Sequence, residues 1–127
     1  MDRFIIDTNV FSDFLNHSFS KKGMDFLSDL IDNDSKISLI TRIELLCWKT
    51  DYDTEFWINK FILNCDVIDI SENIIQNCVK IRRSKKIKLP DAIIASTALT
   101  LDYTIITNNT KDFDNIESLK ILNPYSL

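Results

Sequence analysis

Acidic side chains follow short apolar segments at several points of this 127-residue chain. Asp7 ends the apolar run at 4–6, Glu44 comes shortly after a second run at 36–40, and Asp91 opens a third segment further on. Carboxylates brought together repel one another unless a cation lies between them, and Mg²⁺ and Mn²⁺ prefer such oxygen ligands. A divalent ion lowers the pKa of a bound water and neutralises charge on a leaving oxygen, which suits hydrolysis of a phosphodiester. The acids therefore predict a divalent metal site if the fold brings them together.

Each of these acids also has a purely structural interpretation. Asp7 is a good helix N-cap. Glu44 lies three residues after Thr41, the spacing of a capping box in which the carboxylate reaches back to the Thr41 amide. Asp91 lies in a predicted first helical turn, where the helix dipole favours an acid by about 0.3–1 kcal/mol. Taken together, however, separate segments place carboxylates just after apolar runs or at the start of helices. This repeated placement favours a shared site.

The composition excludes most other reaction chemistries. The chain has one histidine and three cysteines, Cys47, Cys65 and Cys78, without a C-x-x-C pair. Zinc sites, disulfide frameworks and Cys–His nucleophiles are therefore not expected, whereas buried free thiols in a reducing cytosol are. The net charge of −4 argues against coating of nucleic acid by bulk charge, but not against a nuclease. No apolar run approaches the ~18 residues of a membrane span, and no signal-peptide pattern opens the chain, so a cytoplasmic location is expected.

Strand and helix patterns alternate along the chain. Apolar runs predict strands at 4–6, 36–40, 67–70, 103–107 and 119–122. Helical spacing predicts helices at 9–15, 24–31, 41–48 starting at Thr41, 53–62 capped by Asp53, 72–81 capped by Ser71, and 91–101. This alternation is typical of a parallel sheet covered by helices on both faces, where ligands gather at the carboxyl ends of the strands. With no Gly- or Pro-rich linker, we expect residues 1–127 to form a single domain.

The order of these motifs resembles a known family. The segments Ile5-Ile6-Asp7-Thr8-Asn9-Val10, Thr41-Arg42-Ile43-Glu44-Leu45, Leu89-Pro90-Asp91-Ala92-Ile93-Ile94-Ala95 and Thr107-Asn108-Asn109-Thr110-Lys111-Asp112-Phe113 are similar to those of PIN-domain nucleases. Their order, spacing and chain length most resemble the VapC-type toxins of bacterial toxin–antitoxin pairs. The resemblance implies a three-layer α/β/α fold around a short parallel central sheet, a Mg²⁺ or Mn²⁺ cofactor, and endonucleolytic cleavage of RNA.

The resemblance also implies roles for particular residues. Asp7, Glu44 and Asp91 match the family's three near-invariant acids and are the expected catalytic residues. Asp7 and Asp91 would bind the metal directly, while Glu44 would bind it through water or act as a general base. Asn109 falls where many members carry a fourth acid, so a second metal depends on Asp112 supplying the missing charge. The residues expected to orient these ligands are Thr8, Asn9 and Thr107.

A basic segment lies immediately before Asp91 and is independent of the resemblance. It contains Lys80, Arg82, Arg83, Lys85, Lys86 and Lys88. We expect its cations, Arg82, Arg83, Lys85, Lys86 and Lys88 above all, to contact RNA phosphates. The alternative is a solvated helix C-terminus whose cations complement the helix dipole.

A toxin needs a partner that neutralises it. By resemblance this partner is a small antitoxin protein whose C-terminal segment blocks the acidic site, and a homodimer is also expected. The aromatic residues Trp48, Phe56, Trp57 and Phe61 would hold the antitoxin or a second copy of the chain, or else belong to the core. Alternatives for the function are a housekeeping RNA-processing nuclease and a non-catalytic RNA- or protein-binding module. A phosphoryl-transfer enzyme with an aspartyl nucleophile is disfavoured, because Asp7-Thr8-Asn9 lacks a second acid two residues on.

Overall fold

The computed structural model describes residues 3–127. Within this range the strands are β1 Phe4–Ile6, β2 Lys36–Ser38, β3 Asp66–Ile68, β4 Thr104–Ile106 and β5 Lys120–Leu122. The α-helices are α1 Thr8–Leu15, α2 Lys21–Asn33, α3 Leu39–Leu46, α4 Tyr52–Asn64, α5 Glu72–Ser84 and α6 Leu89–Leu101. Two short 3-10 helices cover Thr110–Phe113 and Pro124–Ser126.

All strand pairings are parallel, as predicted. Strand β4 lies between β1 and β5, and β2 pairs with β3. Strand β2 also lies alongside β1, although the hydrogen-bonded ladder is interrupted between them. The spatial order is therefore β3-β2-β1-β4-β5, and the carboxyl ends of all the strands share one edge.

Helices cover both faces of this sheet. Ile5 and Ile6 are both fully buried, but as neighbours in a strand they point to opposite faces. Ile6 packs in a core with α1, α2 and α4, and Ile5 in a second core with α5 and α6. The two cores make the predicted three-layer α/β/α architecture. Across residues 3–127 none of the helices combines the length and apolar character needed to span a bilayer.

Helix α3 begins earlier than the sequence pattern predicts. Ser38, rather than Thr41, is its N-cap, and the Ser38 hydroxyl accepts a hydrogen bond from the Ile40 amide at 3.2 Å. The strand prediction for the whole run at 36–40 is wrong in its second half, because a short apolar run does not distinguish strand from helix. Thr41 is consequently buried inside the helix, so the capping box with Glu44 does not form.

Two smaller expectations are also corrected. Asp51 rather than Asp53 caps α4, because the Asp51 carboxylate accepts from the Thr54 amide at 2.7 Å. Of the three free cysteines only Cys78 is buried, whereas Cys47 is exposed at the end of α3.

Candidate active site

Asp7 lies at the point where β1 becomes α1. Its side chain is only 4% exposed, and its backbone amide donates to the Ile106 carbonyl of β4 at 2.9 Å. One carboxylate oxygen accepts from the Thr8 amide at 2.8 Å, and the other accepts from the buried hydroxyl of Thr107, also at 2.8 Å. Asp7 therefore caps α1 and at the same time faces the carboxyl edge of the sheet.

Glu44 is held by Thr8 rather than by its own helix. The Thr8 hydroxyl donates to Glu44 Oε1 at 2.7 Å and shares a second hydrogen bond with the Thr41 hydroxyl at 3.0 Å. Thr8 thus joins the residue after Asp7 to α3, and the predicted orienting role of Thr8 has a defined partner. Thr41 is a site residue that the sequence pattern suggests only as a cap.

Asp91 lies in the first turn of α6, as predicted, with Pro90 beside it. Ala92, Ala95 and Ala98 of this helix are completely buried, so the start of α6 packs closely against the rest of the protein. Lys88 is the N-cap residue of α6 and makes no side-chain cap hydrogen bond. Its ammonium group lies close enough to Asp91 to lower the pKa of that carboxyl, against the larger effect of burial.

The loop after β4 brings two more predicted residues to the same place. The Asn109 amide donates to the Thr107 hydroxyl at 3.0 Å, and the Asn109 side chain donates to Asp112. Asn108 in the same loop donates to Asp13, which also accepts from the Tyr125 hydroxyl at 2.9 Å. Thr107 thus orients both Asp7 and the Asn109 backbone, and the Asp13 hydrogen bonds anchor the loop to α1.

The pKa values show that these acids interact. Burial raises the pKa of Asp7 from 3.8 to about 6, and repulsion from Asp91 and Glu44 adds to this, while the hydrogen bond from Thr107 opposes it. Burial likewise raises the pKa of Asp91 from 3.8 to about 6, with further contributions from Asp112 and Glu44. The neighbouring acids thus make Asp7 and Asp91 harder to ionise, which is the electrostatic condition under which a cation binds.

One cleft of about 420 Å³ collects these side chains. Its walls include Asp7, Thr8, Asn9, Ser12, Glu44, Trp48, Lys88, Pro90, Asp91, Asn109 and Asp112. All the predicted acids and the Asn109 amide thus border one space. The sequence analysis does not include Ser12, although its position one helical turn after Thr8 on α1 places it on the same helix face.

The donor set of the cleft fits a hard divalent ion. The oxygen atoms that could bind such an ion belong to carboxylate and amide groups, and Asn9 Oδ1 is buried there without a hydrogen-bond partner. The structure shows no partner that Asn9 would orient, so its expected supporting role is not visible. Among the described residues no three carboxylate, histidine or cysteine side chains form a compact metal cage. Such an open arrangement suits Mg²⁺, which keeps several of its waters and binds through one or two carboxylates.

The basic segment divides into two parts. Arg82, Lys86 and Lys88 line a groove of about 410 Å³ together with Lys111, and this basic groove shares Asp91 and Asp112 with the cleft. The remaining predicted cations lie outside that lining: Lys80, Arg83 and Lys85. Lys85 donates instead to the Asp114 carbonyl.

The four predicted aromatic residues do not form one exposed surface. Phe61 is buried and stacks on the half-buried Trp57, with ring centroids 5.3 Å apart. Phe56 is 57% exposed, and Trp48 is half-buried at the cleft. The core interpretation therefore holds for Phe61, and in part for Trp57 and Trp48, which both pack against the core, but not for Phe56.

Comparison with known proteins identifies the family. The model of the PIN domain matches residues 4–119. A toxin–antitoxin complex from Klebsiella pneumoniae contains a chain with 31% sequence identity and a TM-score of 0.75, covering 95% of this chain and 97% of that one. VapBC2 from Rickettsia felis, bound to a promoter DNA fragment, has the same fold at 23% identity and a TM-score of 0.75, covering 94% of this chain and 97% of that one. VapBC-1 from nontypeable Haemophilus influenzae likewise has a TM-score of 0.75 at 23% identity, with 95% and 97% of the two chains covered.

A comparison with curated protein sequences finds no significant match. The resemblance drawn from the sequence motifs is nevertheless confirmed, since the family match spans all four motif segments. This chain belongs to the PIN-domain family.

Proposed function

We propose that this protein is a Mg²⁺- or Mn²⁺-dependent endoribonuclease that acts as the toxin of a toxin–antitoxin pair. The observation that carries the proposal is the single cleft shared by Asp7, Glu44 and Asp91, in which the pKa values of both aspartates are raised in part by neighbouring acids. Perturbed acids in a cleft at the carboxyl edge of a parallel sheet favour a catalytic site over three unrelated helix caps.

The residues of the cleft suggest a division of labour. Asp7 and Asp91 would hold the metal, and Glu44 would bind it through water or take a proton from the attacking water. A divalent ion there would supply positive charge to the phosphate and lower the pKa of water. Thr107 and Thr8 keep Asp7 and Glu44 in place through their hydroxyl hydrogen bonds.

The number of metals follows from the charge of the cleft. Asn109 contributes a neutral amide where a fourth acid would add a negative charge, and its side chain donates to Asp112. We therefore expect one tightly bound ion. A second ion would bind only if Asp112 breaks its hydrogen bond with Asn109 and becomes a ligand.

The partner that we propose is a small antitoxin protein that covers the acidic cleft. The similar chain from Klebsiella pneumoniae belongs to a toxin–antitoxin complex, which supports a partner of this class. Exposed apolar side chains support a protein partner or a second copy of this chain, because Leu63 is 85% exposed and Phe56 57%. RNA as the substrate and the cytoplasm as the location complete the proposal.

Expression in cells that lack an antitoxin tests this function. The wild type should arrest growth, and sequencing of RNA 5′ ends should show new internal cuts. Asp91→Asn should do neither, because it removes one negative charge while keeping the size of the side chain. Arrest by Asp91→Asn equal to that of the wild type would reject the site.

Asp53→Asn is the matched control for that experiment. Asp53 also lies in the first turn of a helix, α4, but does not line the cleft. Loss of a helix-dipole interaction costs about 0.3–1 kcal/mol in either variant. Only the loss of a metal ligand separates them, and circular dichroism verifies that both are folded.

A further inference from the structure

A second groove opens from the acidic cleft through a different wall from the basic groove. It has a volume of about 270 Å³ and shares Ser12 and Trp48 with the cleft, whereas the basic groove shares Lys88, Asp91 and Asp112. We call it the Trp48 groove, and its further side chains include Asn16, Thr50, Asp51 and Thr54. The cleft therefore has continuations of different chemistry on different walls.

The register of α1 explains why the Trp48 groove starts at the acids. Thr8 and Ser12 are one turn apart on α1, and Asn16 follows at its C-cap, so α1 presents one face along the groove. Of this face, Ser12 to Asn16 line the groove, a stretch that rises about 6 Å. A stacked nucleotide takes about 3.4 Å of strand, so the groove has room for a nucleotide beyond the cleft.

The charges of the two grooves are opposite. The basic groove carries Arg82, Lys86, Lys88 and Lys111, which attract phosphates. Within residues 3–127 no lysine or arginine lines the Trp48 groove, and its acid, Asp51, has a pKa lowered by the hydrogen bond from the Thr54 backbone. A negative charge there disfavours a phosphate, whereas an indole with neighbouring hydroxyl and amide groups suits a nucleobase.

We propose that Trp48 is a stacking platform for an unpaired RNA base next to the phosphate that is cut. The inference rests on the proposed ribonuclease function and specifies its substrate as a single-stranded segment. The phosphates on one side of the cut lie in the basic groove, and the base on the other side stacks on Trp48. Ser12, Asn16 and Thr50 line the same groove and supply the polar groups that would read the edge of that base.

The two tryptophans of the chain allow a direct test. Trp57→Phe leaves Trp48 as the only tryptophan, and Trp48→Phe leaves Trp57, which packs against Phe61 away from the cleft. Both variants are made in an Asp91→Asn background to prevent cleavage. An unstructured oligouridylate is added to each variant, and its binding is measured separately by the fluorescence anisotropy of a dye-labelled oligouridylate. Stacking of a base should quench the tryptophan fluorescence of the variant that retains Trp48. It should not quench that of the variant that retains Trp57.

Affinity provides the second readout. Trp48→Leu should weaken binding of the oligouridylate roughly 5- to 150-fold, the range expected for one stacked base, without changing the salt dependence. Trp48→Tyr should retain most of the affinity, and Trp57→Phe all of it. A hairpin duplex of the same length should bind without quenching Trp48.

The outcomes separate the inference from the function on which it rests. Binding by anisotropy without quenching of Trp48, or an unchanged affinity of Trp48→Leu, overturns the stacking site and leaves the ribonuclease proposal in place. Trp48 would then be a contact for a protein partner. If the oligouridylate binds to none of the proteins, the inference and the proposed RNA substrate are overturned together.

Discussion

At the residue scale the buried carboxylate of Asp7 is a destabilising feature of the site when it is ionised. It is almost completely enclosed, and it keeps two hydrogen-bond donors, the Thr8 amide and the Thr107 hydroxyl. Burial nevertheless outweighs these hydrogen bonds, and the pKa of Asp7 is therefore raised to about 6. The ionised carboxylate therefore costs folding free energy at neutral pH, and a cation would relieve that cost.

This cost predicts the pH dependence of stability in the presence of EDTA. The folded pKa of Asp7, about 6, exceeds its unfolded value of 3.8, so the folded protein holds the proton more tightly. The stabilisation of the folded state by this proton is fully present below pH 3.8 and is lost as the pH rises through 6. For Asp7 the change is on the order of 3 kcal/mol, and Asp91 acts in the same direction.

Urea unfolding between pH 4 and pH 8 measures this effect, and Asp7→Asn should remove the contribution of Asp7 while that of Asp91 remains. Excess Mg²⁺ at pH 8 should restore stability to the wild type more than to Asp7→Asn, because the ion binds only the folded site. Stability that rises from pH 4 to pH 7 in EDTA, with no difference between the two proteins, would contradict the proposed electrostatics.

Thr107 provides a second prediction at this scale. Thr107→Val keeps the shape but removes the donor to Asp7 and the acceptor for the Asn109 amide, both in a buried setting. The expected loss is about 1–3 kcal/mol in the free energy of unfolding, with a further rise in the pKa of Asp7. Thr107→Ser keeps the hydroxyl and is the control. Equal stability of the valine and serine variants would show that the hydroxyl is unimportant.

The acids of the cleft are easier to predict from sequence than the residues that support them. Asp7, Glu44 and Asp91 are recognisable because each stands next to an apolar run. The hydrogen bond between Thr8 and Glu44 is not, because it joins residues far apart in sequence and competes with the plausible capping box at Thr41. The unpaired oxygen of Asn9 has no signature in the sequence at all.

At the element scale the junction between α5 and α6 determines which cations can reach the cleft. Arg82 lies in the last turn of α5 and Lys88 caps α6, so the short connection carries the basic groove to Asp91. Arg83 is next to Arg82 but points to a different side of the helix, as neighbours in a helix do. The spacing within the segment therefore selects the useful cations.

This selection predicts how RNA binding depends on salt. The triple variant Arg82→Gln, Lys86→Gln, Lys111→Gln should weaken binding and flatten the slope of log K against log salt by roughly 0.7 for each phosphate that is no longer neutralised. The double variant Lys80→Gln, Arg83→Gln removes cations of the same segment that do not line the groove, so it should change the slope much less. Equal slopes for the two variants would favour the solvated helix end.

The bounds of the elements show where local signals are insufficient. The run at 36–40 is β2 followed directly by α3, because Ser38 in the middle of the run caps the helix. Asp51 and Asp53 are equally suitable caps by residue type, and only the hydrogen bond from the Thr54 amide distinguishes them. Residue type thus predicts that a helix starts nearby, whereas its first residue depends on tertiary packing.

At the scale of the whole molecule a net charge of −4 accompanies a basic groove beside an acidic cleft. The overall charge repels RNA weakly, so attraction must come from the local arrangement of cations.

The order of strand and helix patterns is sufficient to predict a parallel three-layer fold. The shared edge follows from that fold, since parallel strands end on the same side. The interruption between β1 and β2 and the two grooves depend on packing between distant segments and are not predictable from local patterns.

Cleavage of RNA by the purified protein, measured against the concentration of Mn²⁺, decides whether the acidic cleft is a metal-dependent nuclease site. The wild type and Asp53→Asn should cut only when Mn²⁺ is present, with internal cuts that EDTA abolishes. Asp91→Asn should be slower by at least about 100-fold at the same Mn²⁺ concentration, because several kcal/mol of barrier lowering depend on the ion it helps to hold. Cleavage by folded Asp91→Asn at the wild-type rate, or wild-type cleavage that continues in EDTA, would contradict this site and its chemistry.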